Sequence, residues 1–302
     1  MLVEPLMTDV KLQDIKKSVA AERKRLIFRR LTGNRTLFFG LTLIIIMFLV
    51  SFIGPFIIPY SPLETNPINR LQEPGSEHIF GTDNYGRDLL TRVVYGARLS
   101  FAIGFIVAIT SSSIGLVLGL YSAYYNILDH IIMRIVDGLM AFPAILLAIA
   151  LIGALGPSTT NLLIALIFIS IPGVARVVRS CALVVKEQTY IEAMRAIGAS
   201  NTRIIWSHIA PGTFSALLVQ ATFIFAVSII IEAALSFLGV GVPAPAPSLG
   251  NILSVGKDLI RQAWWMTVFP GITFILLVLG LNMSGDGLRD SLDPNIKFVM
   301  KD

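Results

Sequence analysis

Residues 138–175 read GLMAFPAILLAIALIGALGPSTTNLLIALIFISIPGVA and contain no charged side chain. A helix needs about 20 residues to cross the hydrocarbon core of a bilayer, so this stretch is long enough for two crossings. A cluster of glycine, proline and small polar residues at 156–161 divides it, and such clusters favour a chain reversal. The stretch therefore predicts two membrane-spanning helices joined by a short turn.

The same pattern extends over the rest of the chain. Of its 302 residues, 55% are hydrophobic and 14% are charged, whereas roughly 25% are charged in a soluble domain. The mean hydropathy is +0.77. These values exclude a water-solvated globule and predict an all-α, polytopic membrane protein. The other charge-free runs cover 36–63, 99–128, 204–231, 233–256 and 262–285.

Six transmembrane helices are predicted from these runs. Residues 87–98 have apolar side chains at near-helical spacing, which predicts a separate short helix against the membrane face. The predicted spans are 37–59, 99–121, 132–155, 162–183, 213–238 and 266–285. The remaining parts are an N-terminal tail (1–36), an external loop (60–98), a core (99–285) that includes a cytoplasmic loop (186–212), and a C-terminal tail (286–302).

The placement of lysine and arginine predicts the orientation. With six spans, eighteen of the 24 basic residues lie on the side of the two termini and six lie on the other side. The positive-inside rule then places both termini in the cytoplasm. Half of the eighteen lie in the N-terminal tail, where we expect attraction to anionic lipid.

Nucleotide chemistry is not indicated. Residues 250–258, GNILSVGKD, are the nearest match to a phosphate-binding loop, but the spacing is wrong and the last residue is not Ser or Thr. Residues 239–244 begin like a dinucleotide fingerprint but lack the final glycine and a preceding strand. We therefore expect this chain to bind no nucleotide.

Metal and disulfide chemistry are not indicated either. His78, His130 and His208 lie in three separate loops, and Cys181 is the only cysteine. No set of ligands has metal-site spacing. We expect no metal ion, no nucleic-acid partner despite the net charge of +5, and no catalysis by this chain alone.

Charges within the spans are candidate functional groups, because a buried ionisable group in a membrane is costly. Glu232 lies in span five and is predicted either to line a pathway or to make a hydrogen bond between helices. Asp137 lies three residues after Arg134, and the spacing predicts a structural ion pair.

Small and aromatic residues in the spans predict packing and anchoring. Gly115 and Gly119 form a GxxxG pattern, which lets two helices approach closely. Trp264 and Trp265 precede span six, where interfacial aromatic side chains anchor a helix end.

The cytoplasmic loop is predicted to be a compact knob. Residues 187–197 have a helical pattern, Gly198 ends that helix, and Ser200 or Asn201 caps a second one. Pro211 marks the entry to span five. A helix–break–helix unit held between two spans suits rigid docking into the groove of a partner.

At this loop the sequence resembles bacterial ABC-importer permeases. Glu192, Ala193, Gly198 and Pro211 match the family's Glu-Ala-Ala loop in register, although Met194 stands in place of the second alanine. The resemblance implies that these four residues couple the chain to an ATPase.

A second set of motifs resembles one branch of that family, the "C"-type permease of dipeptide, oligopeptide and nickel importers. Gly81, Thr82, Asp83, Gly86, Arg87 and Asp88 match its external motif GTDxxGRD, which YGAR follows at 95–98. Further matches are RIVD at 134–137, FP at 142–143, ALSFLG at 234–239, GDGLRD at 285–290 and LDP at 292–294.

The resemblance implies a type I importer permease in the bacterial inner membrane. Its partners would be a second, homologous permease, two cytoplasmic ATPase subunits that hold ATP and Mg, and an extracytoplasmic binding protein. Peptides are the expected substrate, with nickel or another chelated metal, oligosaccharides and glutathione as alternatives.

Two other classes of function compete with this one. A secondary transporter working without ATP would need a relay of charges or an internal repeat in the spans, and Glu232 alone provides little of either. A membrane enzyme could use Asp83, Asp88 and His78 as acid–base groups. These carboxylates are more simply explained as turn caps or as partners of Arg87 and Arg92.

Overall fold

The computed structural model describes residues 33–292, and the predictions for the rest of the two tails lie outside that range. Within it the fold is helical, and the only β-type pairing is a single bridge between Thr82 and Asp88. The helices are α1 (Arg35–Ile57), α2 (Leu89–Tyr124), α3 (Asn126–Met140), α4 (Ala144–Leu155), α5 (Thr159–Lys186), α6 (Thr189–Ala196), α7 (Asn201–Phe237), α8 (Leu249–Asp258) and α9 (Trp265–Leu292).

Five helices are long and apolar enough to cross a membrane, and the bent pair α3–α4 makes a sixth crossing if it forms one broken span. The five are α1, α2, α5, α7 and α9. Helix α2 is central, since it packs against α1, α5 and α7, while α9 packs against α1 and α7. The six-span prediction agrees with this count when the broken pair is taken as one span.

The GxxxG prediction of close helix packing is confirmed. A side chain at Gly115 would place its Cβ atom 2.4 Å from the Cβ atom of Val174, and one at Gly119 would lie 2.7 Å from the carbonyl oxygen of Ala175. Both glycines therefore allow α2 to contact α5 along its backbone.

The prediction of one continuous helix over 132–155 is wrong. Helices α3 and α4 meet at 93° across residues 141–143. Pro143 causes the break, because it has no N–H and its ring disfavours helical backbone at Phe142. The backbone of Pro143 itself is extended, with ψ of 128°.

The separate surface helix predicted at 87–98 is also wrong. These residues form the first turns of α2, which runs unbroken for 36 residues from its N-cap Asp88. Leu89, Val93 and Ala97 are buried, because they pack into a cluster that includes α8 and α9. The external loop therefore ends at residue 88.

Pro211 marks the entry to the regular α-helix of span five, as the sequence predicts, because it lies in the first turn of the segment Ala210–Phe237. Helix α7 already starts at Asn201 and passes through a π-helical segment, Ile204–Ile209, before the α-helix resumes at Ala210. A proline within a helix removes one hydrogen bond and collides with the carbonyl four residues earlier. The wider π turn directly before Pro211 relieves that conflict.

Candidate functional site

The docking knob, residues 187–211, sits firmly on the bundle. Ile191 from α6 and Ile204, Ile205 and Ile209 from the start of α7 are each at most 1% exposed. They belong to the same apolar cluster as the membrane helices α2, α4, α5 and α7. The knob is therefore a fixed extension of the bundle.

Gly198 ends α6 as predicted, and the geometry is that of a Schellman motif. Its φ angle is +77°, and its N–H donates to the carbonyl of Arg195 at 3.0 Å. The N–H of Ala199 donates to the carbonyl of Met194, also at 3.0 Å. Glycine suits this position because a left-handed backbone is strained for other residues.

The outward face of the knob is open. Glu192, Ala193 and Gly198 are exposed, as is Pro211 at the far end of the segment. Ile197 is 75% exposed and Trp206 is 40% exposed. All four residues that the sequence assigned to coupling thus lie on the exposed surface of a rigid unit.

Tyr124, the last residue of α2, fixes the knob from the side. Its hydroxyl donates to the side-chain carbonyl of Asn201 at 2.7 Å. Its ring lies beneath the guanidinium of Arg195 at 5.4 Å. Tyr124 was not among the predicted site residues. The two adjacent tyrosines at 124–125, directly before α3, are the feature of the sequence that could have indicated it.

The second group of predicted residues forms a frame at the end of the bundle that the sequence predicts to be external; residues 60–88 are called the external frame here. Asp83 is buried and contacts several other residues of the frame. The carboxylate accepts hydrogen bonds from the backbone N–H groups of Tyr85 at 2.8 Å and Arg87 at 3.0 Å. It also pairs with the Nε atoms of Arg87 at 2.6 Å and Arg92 at 3.4 Å. The structure confirms the predicted pairing of Asp83 with these arginines.

Asp88 has a different partner set in the same frame. It caps α2 by accepting from the backbone N–H of Thr91 at 2.7 Å and from the Thr91 hydroxyl at 2.6 Å. Its other oxygen lies 2.9 Å from Nδ1 of His78. The side chains of Asp88 and His78 are buried. These contacts hold the loop against the helix, which weighs against the acid–base alternative.

The glycines of this motif allow two close backbone approaches. Gly81 and Gly86 have φ angles of +75° and +73°. An added Cβ atom would lie 2.5 Å from the carbonyl oxygen of Gln72 at Gly81 and 1.7 Å from that of Asn66 at Gly86. Thr82 lies between them, accepting from the N–H of Gln72 at 2.8 Å and donating to a backbone carbonyl.

Trp265 of α9 is buried against the external frame, so its prediction as an interfacial anchor is wrong. The side chain is 1% exposed, and its Nε1–H donates to the carbonyl of Thr82 at 3.1 Å. Its neighbour Trp264 is 51% exposed. A buried tryptophan needs an acceptor for its N–H, and the external frame supplies one.

Glu232 lies fully inside the bundle, near the C-terminal end of α7. Its carboxylate accepts a hydrogen bond from the hydroxyl of Ser100 on α2 at 3.0 Å and from that of Ser236 at 2.8 Å. The Ser236 oxygen in turn accepts from the N–H of Val242 at 3.1 Å. Of the two alternatives, this geometry favours the hydrogen bond between helices.

The predicted ion pair between Arg134 and Asp137 is wrong. The Asp137 carboxylate lies 2.7 Å from a guanidinium nitrogen of Arg176 on α5, and within residues 33–292 no ion pair joins it to Arg134. On α3, Arg134 and Asp137 are near neighbours, but α5 offers a nearer cation. Arg179 and Asp129 form a second link between the same helices, at 2.5 and 2.7 Å.

A cleft of about 370 Å³ lies where α3 and α4 break. Gln220 and Phe223 of α7 and Ser170 of α5 line it, together with apolar side chains. Gln220 and Phe223 also line a neighbouring cleft of about 470 Å³. The sequence analysis did not single them out, although Gln220 is the only amide side chain in the run 204–231.

The segment that resembled a phosphate-binding loop is a helix. Residues 250–258 lie in α8, whose N-cap is Ser248. Within residues 33–292, no three His, Cys, Asp or Glu side chains lie together in a way that could hold a metal ion.

The fold defines the class of protein. The chain superposes on a chain of the MetNI methionine ABC transporter in an inward facing conformation, with a TM-score of 0.56 and 21% identity, over 67% of this chain and 96% of the other. At that identity the likeness shows the fold alone. The fold is that of a type I ABC-importer permease.

Sequence relatives place the chain within a family. Residues 115–298 match the family described as binding-protein-dependent transport system inner membrane component, and residues 24–74 match the N-terminal TM domain of oligopeptide transport permease C. The chain belongs to this family and is a multi-pass, inner-membrane permease subunit of an ABC importer.

Several curated relatives align over most of the chain. A putative peptide transport system permease protein of Brucella abortus is 47% identical over 96% of this chain and 97% of its own. The dipeptide transport system permease protein DppC of Alkalihalophilus pseudofirmus is 46% identical over 89% of each chain. A glutathione transport system permease protein of Pectobacterium atrosepticum is 40% identical over 84% of this chain and 85% of its own.

Proposed function

We propose that this chain forms the translocation pathway of an importer for di- or oligopeptides, together with a second, homologous permease. The observation that carries the proposal is the near-complete alignment with relatives named as peptide and dipeptide permeases, at 46–47% identity. Such coverage includes the spans, the external frame and the docking knob together.

The cleft at the break between α3 and α4 supports the pathway assignment. Gln220, Ser170 and apolar side chains line it. A second subunit placed against this face would complete the wall. Apolar side chains with a few neutral polar groups suit a substrate whose backbone is constant and whose side chains vary.

The docking knob supports a mechanical link to cytoplasmic ATPase subunits. Buried isoleucines pack its inner face against the bundle, and Glu192, Ala193 and Ile197 are exposed on its outer face. A rigid, partly apolar helical surface is what a groove on a partner recognises. Two ATPases would hold ATP and Mg, and their closure would move α7 through the knob. We expect this chain to bind neither cofactor.

The remaining partners follow from the same proposal. Both termini and the knob would lie in the cytoplasm, and the external frame would face an extracytoplasmic binding protein that delivers the substrate. The frame is fixed by buried ion pairs, so it would offer that protein a rigid surface. The N-terminal tail would lie near anionic lipid or an ATPase subunit.

The proposal is tested by purifying the complex from its native host in mild detergent through a tag on the C-terminal tail. We expect a second six-span permease, one or two ATPases and dipeptide-stimulated ATP hydrolysis after addition of the binding protein. Recovery of a homo-oligomer without ATPase, even after cross-linking, would favour a secondary transporter instead.

Substrate identity needs a separate experiment. Uptake of a labelled dipeptide into proteoliposomes should be inhibited by unlabelled di- and tripeptides. If a nickel chelate or glutathione competes and peptides do not, the importer carries another small solute and the peptide assignment fails.

A further inference from the structure

A cleft of about 820 Å³ lies where α2 turns into α3, beside the docking knob. Tyr121 and Tyr125 contribute to its wall from the bundle, Lys186 from the end of α5, and Arg195 from α6 of the knob. None of the side chains that line it is acidic. The cleft therefore combines aromatic surface with two positive charges, one of which belongs to the knob.

The two cations are held in place and keep unused hydrogen-bond donors. The Lys186 ammonium donates to the carbonyls of Ala123 at 2.9 Å and Tyr124 at 3.3 Å, which leaves one of its three N–H groups. The Arg195 guanidinium lies over the Tyr124 ring. Among residues 33–292, Arg195 has no acidic partner within ion-pair distance. Both cations can therefore meet an anion in the cleft.

The start of α3 supplies backbone N–H donors to the cleft, and the acidic side chain of its first turn, Asp129, is paired with Arg179. Asn126, Ile127 and Leu128 are the first residues of this 15-residue helix, and all three line the cleft. The N-cap residue, Tyr125, makes no side-chain cap. The first N–H groups of a helix have no carbonyl within the helix to bond, and the helix dipole adds partial positive charge there. Such an end binds phosphate readily.

An apolar stripe leads away from this end along α3. Ile127, Ile131 and Ile135 are four residues apart and are 78%, 54% and 59% exposed. Residues at this spacing lie on one face of a helix. A soluble anion would gain nothing from contact with this apolar stripe, whereas the acyl chain of a lipid would pack against it. A polar face next to an apolar face is typical of helices at the membrane interface.

We propose that the cleft binds the phosphate headgroup of an anionic phospholipid, with an acyl chain along the isoleucine stripe. The inference rests on the proposed function only in assigning this end of the bundle to the cytoplasmic leaflet. A bound headgroup would join Arg195 of the knob to Lys186 and α3. Lipid charge would thereby influence how firmly the docking surface is held.

The test is binding of fluorescent phosphatidylglycerol to the purified permease complex in phosphatidylcholine nanodiscs. We expect Arg195→Gln to weaken binding about fivefold, as for one basic residue at a charged membrane surface. Arg203→Gln is the matched control, since Arg203 lies in the same knob but does not line the cleft. Equal affinity of the two variants would overturn the proposal.

A second variant tests the helix end without changing side-chain charge. Asn126→Pro removes one first-turn N–H, and proline is tolerated at the first position of a helix. Tyr125 already has the extended backbone that a following proline requires, with ψ of 113°. We expect binding about threefold weaker with unchanged thermal stability. Unchanged affinity of Asn126→Pro for the lipid probe would contradict the proposed contact between the headgroup and the start of α3.

Two further outcomes would contradict a lipid site. Full displacement of the probe by millimolar inorganic phosphate would indicate a soluble anion. Loss of ATPase affinity in Arg195→Gln, with lipid binding intact, would indicate a protein carboxylate as the partner. Lipid binding is measured without ATP hydrolysis, so a failed coupling assay would count against the proposed function and leave this inference standing.

Discussion

The external frame and the docking knob are both connections between membrane helices, yet they use their polar groups in opposite ways. In the frame, Asp83 and Asp88 are buried and direct their hydrogen-bonding capacity to neighbours within the chain. In the knob, buried isoleucines hold the unit in place, and Glu192, Ala193 and Gly198 are left exposed.

This difference separates structural motifs from docking motifs. A motif whose charged groups are paired inside the protein stabilises the fold, because an unpaired buried charge would be costly. A motif whose groups are exposed on a rigid backbone is available to a partner. On this basis we expect the GTDxxGRD segment to act as a structural element, and we propose the Glu-Ala-Ala loop as the coupling element.

The largest expected effect is in the frame. Asp83→Ala leaves the buried side chain of Arg92 without its carboxylate and should destabilise the folded chain by about 3–5 kcal/mol. The amount of permease in the membrane and its midpoint of thermal aggregation in detergent measure this. The exposed carboxylate of Asp258 is the control, and Asp258→Ala should change stability by less than about 0.5 kcal/mol. Similar behaviour of the two variants would refute the frame as a structural element.

The next effect belongs to the knob and should spare stability. Gly198→Pro cannot adopt φ of +77° and loses an N–H that the Schellman motif uses. Substrate-stimulated ATP hydrolysis should fall by at least about tenfold, the effect of a 1.4 kcal/mol loss, while the subunit stays inserted. Gly198→Asn is the matched control, since asparagine tolerates this backbone region best after glycine. Normal coupling in Gly198→Pro would count against the docking assignment.

A smaller effect is expected where the bundle supports the frame. Trp265→Phe keeps most of the ring packing but removes the N–H that donates to Thr82, which should cost about 1 kcal/mol. Trp264→Phe changes the exposed neighbour and should cost nothing measurable. The thermal unfolding midpoints of the two variants are compared. Equal shifts would mean that the hydrogen bond from Trp265 to Thr82 contributes nothing to stability.

The smallest effect concerns the surface pair between α3 and α5. Asp137 and Arg176 are both about half exposed, so their interaction should be worth less than about 1 kcal/mol. A double-mutant cycle of Asp137→Asn with Arg176→Gln should show this small coupling, whereas a cycle with Arg134→Gln should show none. The reverse result would restore the pair predicted from spacing.

Much of the architecture was predictable because charge-free length is a direct consequence of bilayer thickness. The runs around 37–59, 162–183 and 266–285 each contain a helix close to the predicted bounds. The errors have local causes. Pro143 lies within a predicted span although it breaks the helix, and residues 87–98 lie outside the charge-free run 99–128 although residues from Leu89 onward belong to the same helix.

The candidate sites were predictable to a different degree. The four residues predicted to couple the chain to an ATPase are all exposed on the knob, because they belong to one continuous segment of the sequence. The partners of Asp137 and Glu232 were not accessible from spacing, since Arg176 and Ser100 lie on other helices. The burial of Trp265 also depends on a contact with residue 82, far away in the chain.

The most direct test of the contrast between frame and knob is cysteine labelling in a Cys181→Ser background. Ala193→Cys reports on the exposed face of the knob, and Tyr85→Cys reports on the exposed side chain of the frame. A maleimide probe is applied to the permease pair with and without its ATPase subunits. We predict that the ATPases protect position 193 and leave position 85 reactive. Equal labelling of position 193 in both samples would contradict the assignment of the knob as the docking surface.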